Sequence, residues 1–151
     1  MLPLLTRIDH VGIACRDLER TVGLYQATFG LEVVSLEVVP EQGVREAMLR
    51  VGPGEAGTGS GSFVSGYVQL LEPLEDDTPV GRFLARRGEG LHHVGYGVSD
   101  IGSALAEIAG TGIRLIDSRP RHGSMGASIA FLHPGDLGGV LTELVEFAGP
   151  A

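Results

Sequence analysis

Two histidines occupy equivalent positions in a segment that the sequence contains twice. Around His10 and again around His93 the order is an apolar residue, any residue, His, Val, Gly, an apolar residue and, after a gap, Asp. Imidazole nitrogens are common ligands of metal ions and common proton carriers. If the two copies form the halves of a duplicated fold, their imidazoles face each other.

An amide and a carboxylate are repeated as well. Gln69-Leu70-Leu71-Glu72 in the first half matches Glu143-Leu144-Val145-Glu146 in the second. Alternate residues of a strand share a face, so either Gln69 with Glu143 or Glu72 with Glu146 could point inward. Both choices have aliphatic neighbours, and the repeat alone leaves the inward face open.

The glycines beside the histidines favour a ligand cavity. Gly12 and Gly95 each follow a histidine two positions on, on the same face, and leave space beside its imidazole. With Gln69 and Glu143 on that face, the four polar side chains supply two nitrogens and two oxygens. This mixture suits a divalent ion of intermediate hardness, with two positions left for substrate oxygens.

The repeated segments predict strands that each lead into a helix. Asp17 is expected to cap a helix that Gly30 ends, and Asp100 to cap one that ends at Gly110 or Gly112. His92 should point to the face opposite His93 and serve structure only.

The remaining apolar segments complete the order βαβββ in each half. Strand candidates are 31–39, 44–51 and 66–72, then 113–118, 128–132 and 140–147. The predicted organisation is a single domain over 1–151, with a first module at about 6–73, a linker helix at about 74–89 capped by Asp77 or Thr78, and a second module at about 90–148. A glycine-serine insertion at 54–62 is interpreted as a hairpin connection.

The composition indicates a globular protein with enough apolar residues to form an ordinary hydrophobic core. Apolar residues form 43% of the 151, and the net charge is −8, with all eleven cationic side chains arginine. This charge argues against a nucleic-acid partner, and the absence of a long apolar segment argues against a membrane span. Cys15 is alone, which favours a small buried thiol and, by default, a cytoplasmic location.

Several segments give the chain a resemblance to the methylmalonyl-CoA epimerase family of the vicinal-oxygen-chelate superfamily. The segments that carry the resemblance are 8–14, 40–46 with Pro-Glu-Gln-Gly-Val, 88–93 with Gly-Glu-Gly-Leu-His-His, 121–126, 130–134 with Ala-Phe-Leu-His-Pro, and 139–144. The resemblance implies an α+β fold in which paired βαβββ modules form a cupped eight-stranded mixed sheet, and a homodimer. It also implies that His10, Gln69, His93 and Glu143 bind a divalent metal, with cobalt first and manganese, nickel or zinc as alternatives.

The activity implied by the resemblance is interconversion of (2R)- and (2S)-methylmalonyl-CoA by 1,1-proton transfer through a metal-stabilised enolate. Two proton carriers on opposite faces of the substrate are then required. Glu46, which shares a strand face with Val44 and Met48, is expected to be one. Glu143, doubling as a metal ligand, or an ordered water is expected to be the other, although metal coordination lowers the basicity of a carboxylate.

Contacts to coenzyme A are expected from a loop of the second module, because its glycines let backbone amides approach a ligand. The residues concerned are Arg121, His122, Gly123, Ser124 and Gly126. Two alternative functions stay open. One is a lactoylglutathione lyase or dioxygenase of the same fold, although Gln69 argues against an iron dioxygenase. The other is a metal-free small-molecule-binding protein.

Overall fold

The computed structural model describes residues 3–52 and 66–147, which contain eight strands and three α-helices. The order βαβββ occurs twice, as the sequence predicts, and the α+β class is confirmed. The predicted insertion at 54–62 lies outside the described residues. The elements are β1 (Leu5–Ala14), α1 (Leu18–Phe29), β2 (Glu32–Val39), β3 (Val44–Val51), β4 (Gly66–Pro73), α2 (Pro79–Arg87), β5 (Gly90–Val98), α3 (Ile101–Ala109), β6 (Arg121–His122), β7 (Ser128–Leu132) and β8 (Thr142–Glu146).

The chain divides into two compact units, and the division falls within β1 and β5. The first unit comprises residues 10–92, and its strands are ordered β2-β3-β4-β1. The second unit comprises the described residues 3–9 and 93–147, and its strands are ordered β5-β8-β7-β6. In each unit the strand that carries the histidine runs parallel to the last strand, and the other pairs are antiparallel. The predicted module boundaries remain a prediction.

Local capping chemistry sets the helix boundaries. The side chains of Asp17, Thr78 and Asp100 accept hydrogen bonds from backbone amides three residues on, as predicted for α1, α2 and α3. Gly30 ends α1 in the left-handed conformation with φ 68°, which glycine adopts without steric cost. Gly110 follows the last residue of α3. None of the described helices is long and apolar enough to span a membrane.

Each unit buries helices against its own strands. In the first unit, Leu18 of α1 packs with Leu49 and Leu70, and in the second, α3 packs on Leu132 and Leu144. Burying each of these side chains contributes about 1.5–3 kcal/mol. Cys15 belongs to the first core, and burial raises the pKa of its thiol to about 11, which agrees with the predicted structural role.

The strand predicted at 113–118 is wrong. Leu115 makes a single bridge to Leu132, and the amides of Ile116 and Asp117 then both donate to the carbonyl oxygen of Phe131. A carbonyl that accepts two successive amides does not belong to a regular ladder, in which each residue bonds a different partner. The second strand of this module is instead the two-residue β6 at Arg121–His122, antiparallel to β7.

Candidate active site

The glutamates near the ends of β4 and β8 decide which face of each unit carries the repeated polar residues. Glu72 accepts a hydrogen bond of 2.7 Å from the amide of Leu18, and Glu146 accepts one of 2.7 Å from the amide of Ile101. Those amides are the first of α1 and α3 and have no partner within their helices. Both glutamates therefore lie on the helix side, and the residues three positions earlier project from the opposite face.

In the first unit the opposite face carries His10, Gln69 and Glu46, here called the first polar set. His10 and Gln69 are each 4% exposed and Glu46 is 1% exposed. Gly12, two residues after His10, pairs with Gln69 across the parallel strands, so the imidazole and the amide share a face. The amide nitrogen of Gln69 donates a 2.7 Å hydrogen bond to Oε2 of Glu46.

In the second unit the equivalent face carries His93 and Glu143, here called the second polar set. Both are buried, and Gly95, two residues after His93, pairs with Glu143 in the parallel register. Nε2 of His93 lies 3.9 Å from Oε2 of Glu143. The ring of Phe131 meets the imidazole of His93 edge-on, with 5.5 Å between ring centroids.

The register makes the two sets equivalent at the histidine and at the next polar residue, but not at Glu46. Glu46 pairs with Leu71, and the residue equivalent to Leu71 in the second unit is Val145. Val145 pairs with Ile129, which is 2% exposed. The candidate ligands therefore occur in both copies, as His10 with Gln69 and as His93 with Glu143. The buried carboxylate of Glu46 occurs in the first copy only, because Ile129 occupies the equivalent position in the second.

His92 has surroundings that differ from those of His93. It is half-buried in the first unit, where its ring meets Phe83 of α2 edge-on at 5.0 Å. Burial lowers the pKa of His92 to about 4, so the ring is neutral at physiological pH. A neutral ring packed on an aromatic side chain agrees with the structural role that the sequence predicts.

The predicted substrate loop begins at Arg121 and ends at Gly126. Met125 has a φ of 57° and Gly126 a φ of 74°, so two successive residues adopt the left-handed conformation. A non-glycine residue in this conformation costs of order 1 kcal/mol, and such residues are enriched at functional sites. Gly123 lies so close to Ile129 that a Cβ would approach that side chain to 2.6 Å.

Two residues beside this loop were not among the candidates from the sequence. Asp117 lies 3.0 Å from Nε of Arg121 and accepts a 2.9 Å hydrogen bond from the amide of Phe131. The ring of Phe131 contacts the imidazole of His93 edge-on and also lies near the guanidinium of Arg121, which is 5.9 Å from the ring centroid. The sequence signal for this ion pair was the spacing of Asp117 four residues before Arg121. It was missed because Asp117 had been assigned to the predicted strand at 113–118.

Each polar set carries donor types that bind divalent ions. Besides Glu46, the first set offers an imidazole and an amide, and the second offers an imidazole and a carboxylate, all donors that ions of intermediate hardness accept. The amide nitrogen of Gln69 donates to Glu46, so a cation could bind this side chain only through its amide oxygen. The 3.9 Å between His93 and Glu143 is shorter than two ligand bonds of about 2.1 Å each, so one ion can contact both atoms.

Comparison with protein families identifies the architecture. The model of the Glyoxalase/Bleomycin resistance protein/Dioxygenase superfamily matches residues 9–131. The chain belongs to this superfamily. The vicinal-oxygen-chelate resemblance drawn from the sequence is thereby confirmed, together with the fold class.

Several named relatives are epimerases. The ethylmalonyl-CoA/methylmalonyl-CoA epimerase of Cereibacter sphaeroides is 32% identical over 95% of this chain and 99% of its own length. The mitochondrial methylmalonyl-CoA epimerase of Bos taurus is 33% identical over 94% of this chain and 75% of its own. A variant of Streptomyces coelicolor methylmalonyl-CoA epimerase, solved with 2-nitronate-propionyl-CoA, is 50% identical with a TM-score of 0.87, covering 96% of this chain and 99% of the other.

Proposed function

We propose that this chain is a metal-dependent epimerase that interconverts (2R)- and (2S)-methylmalonyl-CoA by 1,1-proton transfer. The observation that carries the proposal is the buried hydrogen bond between Glu46 and Gln69, which joins a carboxylate that can move a proton to an amide of ligand type. The epimerases among the relatives, which match this chain over nearly its whole length, support the substrate.

The metal ligands proposed are His10, Gln69, His93 and Glu143. The equivalent register of the two polar sets supports this choice, because each unit presents a histidine and a second donor on one face. An ion held by these residues supplies a Lewis acid that stabilises the negative charge on the enolate oxygen. Cobalt is the ion proposed first, with manganese, nickel or zinc as alternatives.

Glu46 is proposed as the first proton carrier. The carbon between the thioester carbonyl and the carboxylate of the substrate bears an acidic proton, and inversion requires its removal from one face and its return to the other. The side chain of Glu46 is buried, and its bond to Gln69 fixes the orientation of the carboxylate before substrate binds. A positioned carboxylate of this kind contributes about 10²- to 10⁴-fold to the rate of proton transfer.

The second proton carrier is proposed to be Glu143 or an ordered water. Ile129 occupies the strand position equivalent to Glu46, so the duplication does not supply a second acid there. Glu143 is the carboxylate of the second polar set, but binding to a cation lowers its basicity. An ordered water that does not bind the cation would not lose basicity in this way.

The test is exchange of the α-proton of methylmalonyl-CoA in deuterated water, followed by NMR together with racemisation. Protein treated with EDTA should lose both activities, and added cobalt or manganese should restore them. Turnover that is unchanged after complete removal of metal would contradict the proposed metal dependence.

Two matched assays distinguish the alternative functions. Isomerisation of the methylglyoxal–glutathione adduct without epimerisation would indicate a lactoylglutathione lyase. Protein that holds no metal and turns over neither substrate would indicate a binding protein. We also propose that the protein forms a homodimer, which sedimentation equilibrium tests. A cytoplasmic location is proposed as well.

A further inference from the structure

In the second unit, the side chain of Asp117 supplies a hydrogen-bond acceptor that a neighbouring strand supplies in the first. In the first unit Met48, the residue equivalent to Phe131, pairs with Ser35 of β2 in the antiparallel pair of β2 and β3. The second unit has no strand at that position, and the carboxylate of Asp117 accepts the hydrogen bond of the Phe131 amide instead. A side chain thus satisfies a backbone donor that a ladder would otherwise satisfy.

The same carboxylate also holds a cation. Its other oxygen, Oδ1, lies 3.0 Å from Nε of Arg121, and the Asp117 side chain is 14% exposed while that of Arg121 is 36% exposed. The guanidinium of Arg121 lies 5.9 Å from the centroid of the Phe131 ring. An aspartate at Nε and a ring beside the guanidinium together restrict the orientations open to the arginine.

The arginine and a proposed metal ligand contact the same aromatic ring. Phe131 contacts His93 edge-on at 5.5 Å and also lies beside Arg121. The substrate of the proposed reaction carries a carboxylate and several phosphates, and the chain has a net charge of −8. A local cation held in advance offsets the repulsion that such an anion meets.

We propose that Asp117 is a positioning residue that holds Arg121 against Phe131, so that the guanidinium is oriented in advance to bind an anionic group of the acyl-coenzyme A substrate. This inference rests on the proposed function. Asp117 itself touches no reacting atom, and its effect is exerted through the orientation of Arg121 and the placement of Phe131 beside His93.

Asp117→Asn separates the two roles of the carboxylate. The amide oxygen of asparagine can still accept from the Phe131 amide, but the charge that holds Arg121 is lost. The expected result is a rise of about fivefold to tenfold in the KM for methylmalonyl-CoA, with kcat within about twofold of wild type and an unchanged melting temperature. Asp117→Ala loses both the hydrogen bond from the Phe131 amide and the ion pair with Arg121, and it should also lower the melting temperature.

Arg121→Gln and the double variant test the coupling. Arg121→Gln should raise KM by about tenfold to a hundredfold, and Asp117→Asn should add little to it, because both changes remove one interaction. The matched control is Asp136→Asn, which breaks another Arg–Asp pair of the second unit, that with Arg114, and should leave KM unchanged. Additive effects of Asp117→Asn and Arg121→Gln, or a change in kcat and melting temperature with KM unchanged, would overturn the inference.

Calorimetric binding of propionyl-CoA, which lacks the substrate carboxylate, identifies the anionic group. Weaker binding by Arg121→Gln assigns the contact to a coenzyme A phosphate, and unchanged binding with a raised KM for methylmalonyl-CoA assigns it to the carboxylate; both support the inference. A wild-type chain that does not epimerise methylmalonyl-CoA refutes the proposed function and the inference with it. A wild-type chain that epimerises while KM is insensitive to both substitutions refutes the inference alone.

Discussion

The amide nitrogen of Gln69 donates a 2.7 Å hydrogen bond to Oε2 of Glu46, and both side chains are more than nine-tenths buried. The bond has two chemical consequences. It fixes one oxygen of the carboxylate, and it leaves the amide oxygen of Gln69 as the atom that can bind a cation. The single contact thereby orients both the proposed proton carrier and the proposed ligand.

Glu46→Gln should abolish most of the exchange of the α-proton while metal content is retained. The substitution preserves the size of the side chain but removes its basicity, so we expect a loss of about 10²- to 10⁴-fold in the exchange rate. Deuterium incorporation measured by NMR checks this. Glu41→Gln, at an exposed glutamate nearby, is the control and should be silent. Exchange that persists at the wild-type rate would remove Glu46 from the mechanism.

His93→Ala and His92→Ala should have different effects although the residues are adjacent. Loss of the buried imidazole of His93 removes a proposed ligand, so bound cobalt and activity should fall together. Loss of His92 removes the contact with Phe83 and should lower the melting temperature with metal content retained. Elemental analysis and thermal unfolding measure the two effects. Equal loss of metal in both variants would contradict the assignment.

Glu146→Ala should destabilise the fold without affecting turnover. The substitution removes the acceptor for the amide of Ile101 and a negative charge at the start of α3, at a cost of about 1 kcal/mol. Chemical denaturation measures the free energy of unfolding, and kcat should remain within twofold of wild type, an order-of-magnitude expectation. Glu107→Ala, on an exposed position of α3, is the matched control. Glu72 is a less direct probe because it also bonds Arg45.

The pair between Asp136 and Arg114 should make a small contribution to stability that depends on pH. Hydrogen bonds from Arg114 lower the pKa of Asp136 from 3.8 to about 2. A carboxyl group whose pKa is lowered by folding stabilises the protein above its unfolded pKa and loses that effect as the pH falls through its folded pKa. The melting temperatures of wild type and Asp136→Asn should therefore differ at pH 6 and converge between about pH 4 and pH 2. A difference that is constant with pH would exclude the charge as its cause.

Local chemistry made much of the fold predictable. Asp17, Thr78 and Asp100 cap their helices because each acceptor and donor lie three residues apart in the chain, a relationship that any copy of these segments would form. The repeat of His10 at His93 likewise places two imidazoles at equivalent strand positions. Such features depend on neighbouring residues alone, and the sequence determines them.

The tertiary structure decided two questions that the alternation of apolar and polar residues left open: which face of β4 points inward, and whether residues 113–118 form a strand. Gln69 and Glu72 both have apolar neighbours, and the choice between their faces depends on the amide of Leu18, which is distant in sequence and binds Glu72. Residues 113–118 have the apolar pattern of a strand. The carboxylate of Asp117 nevertheless satisfies the amide of Phe131 and binds Arg121, and the regular ladder does not form. Unpaired backbone amides must find acceptors, and only the folded chain determines which acceptor is within reach.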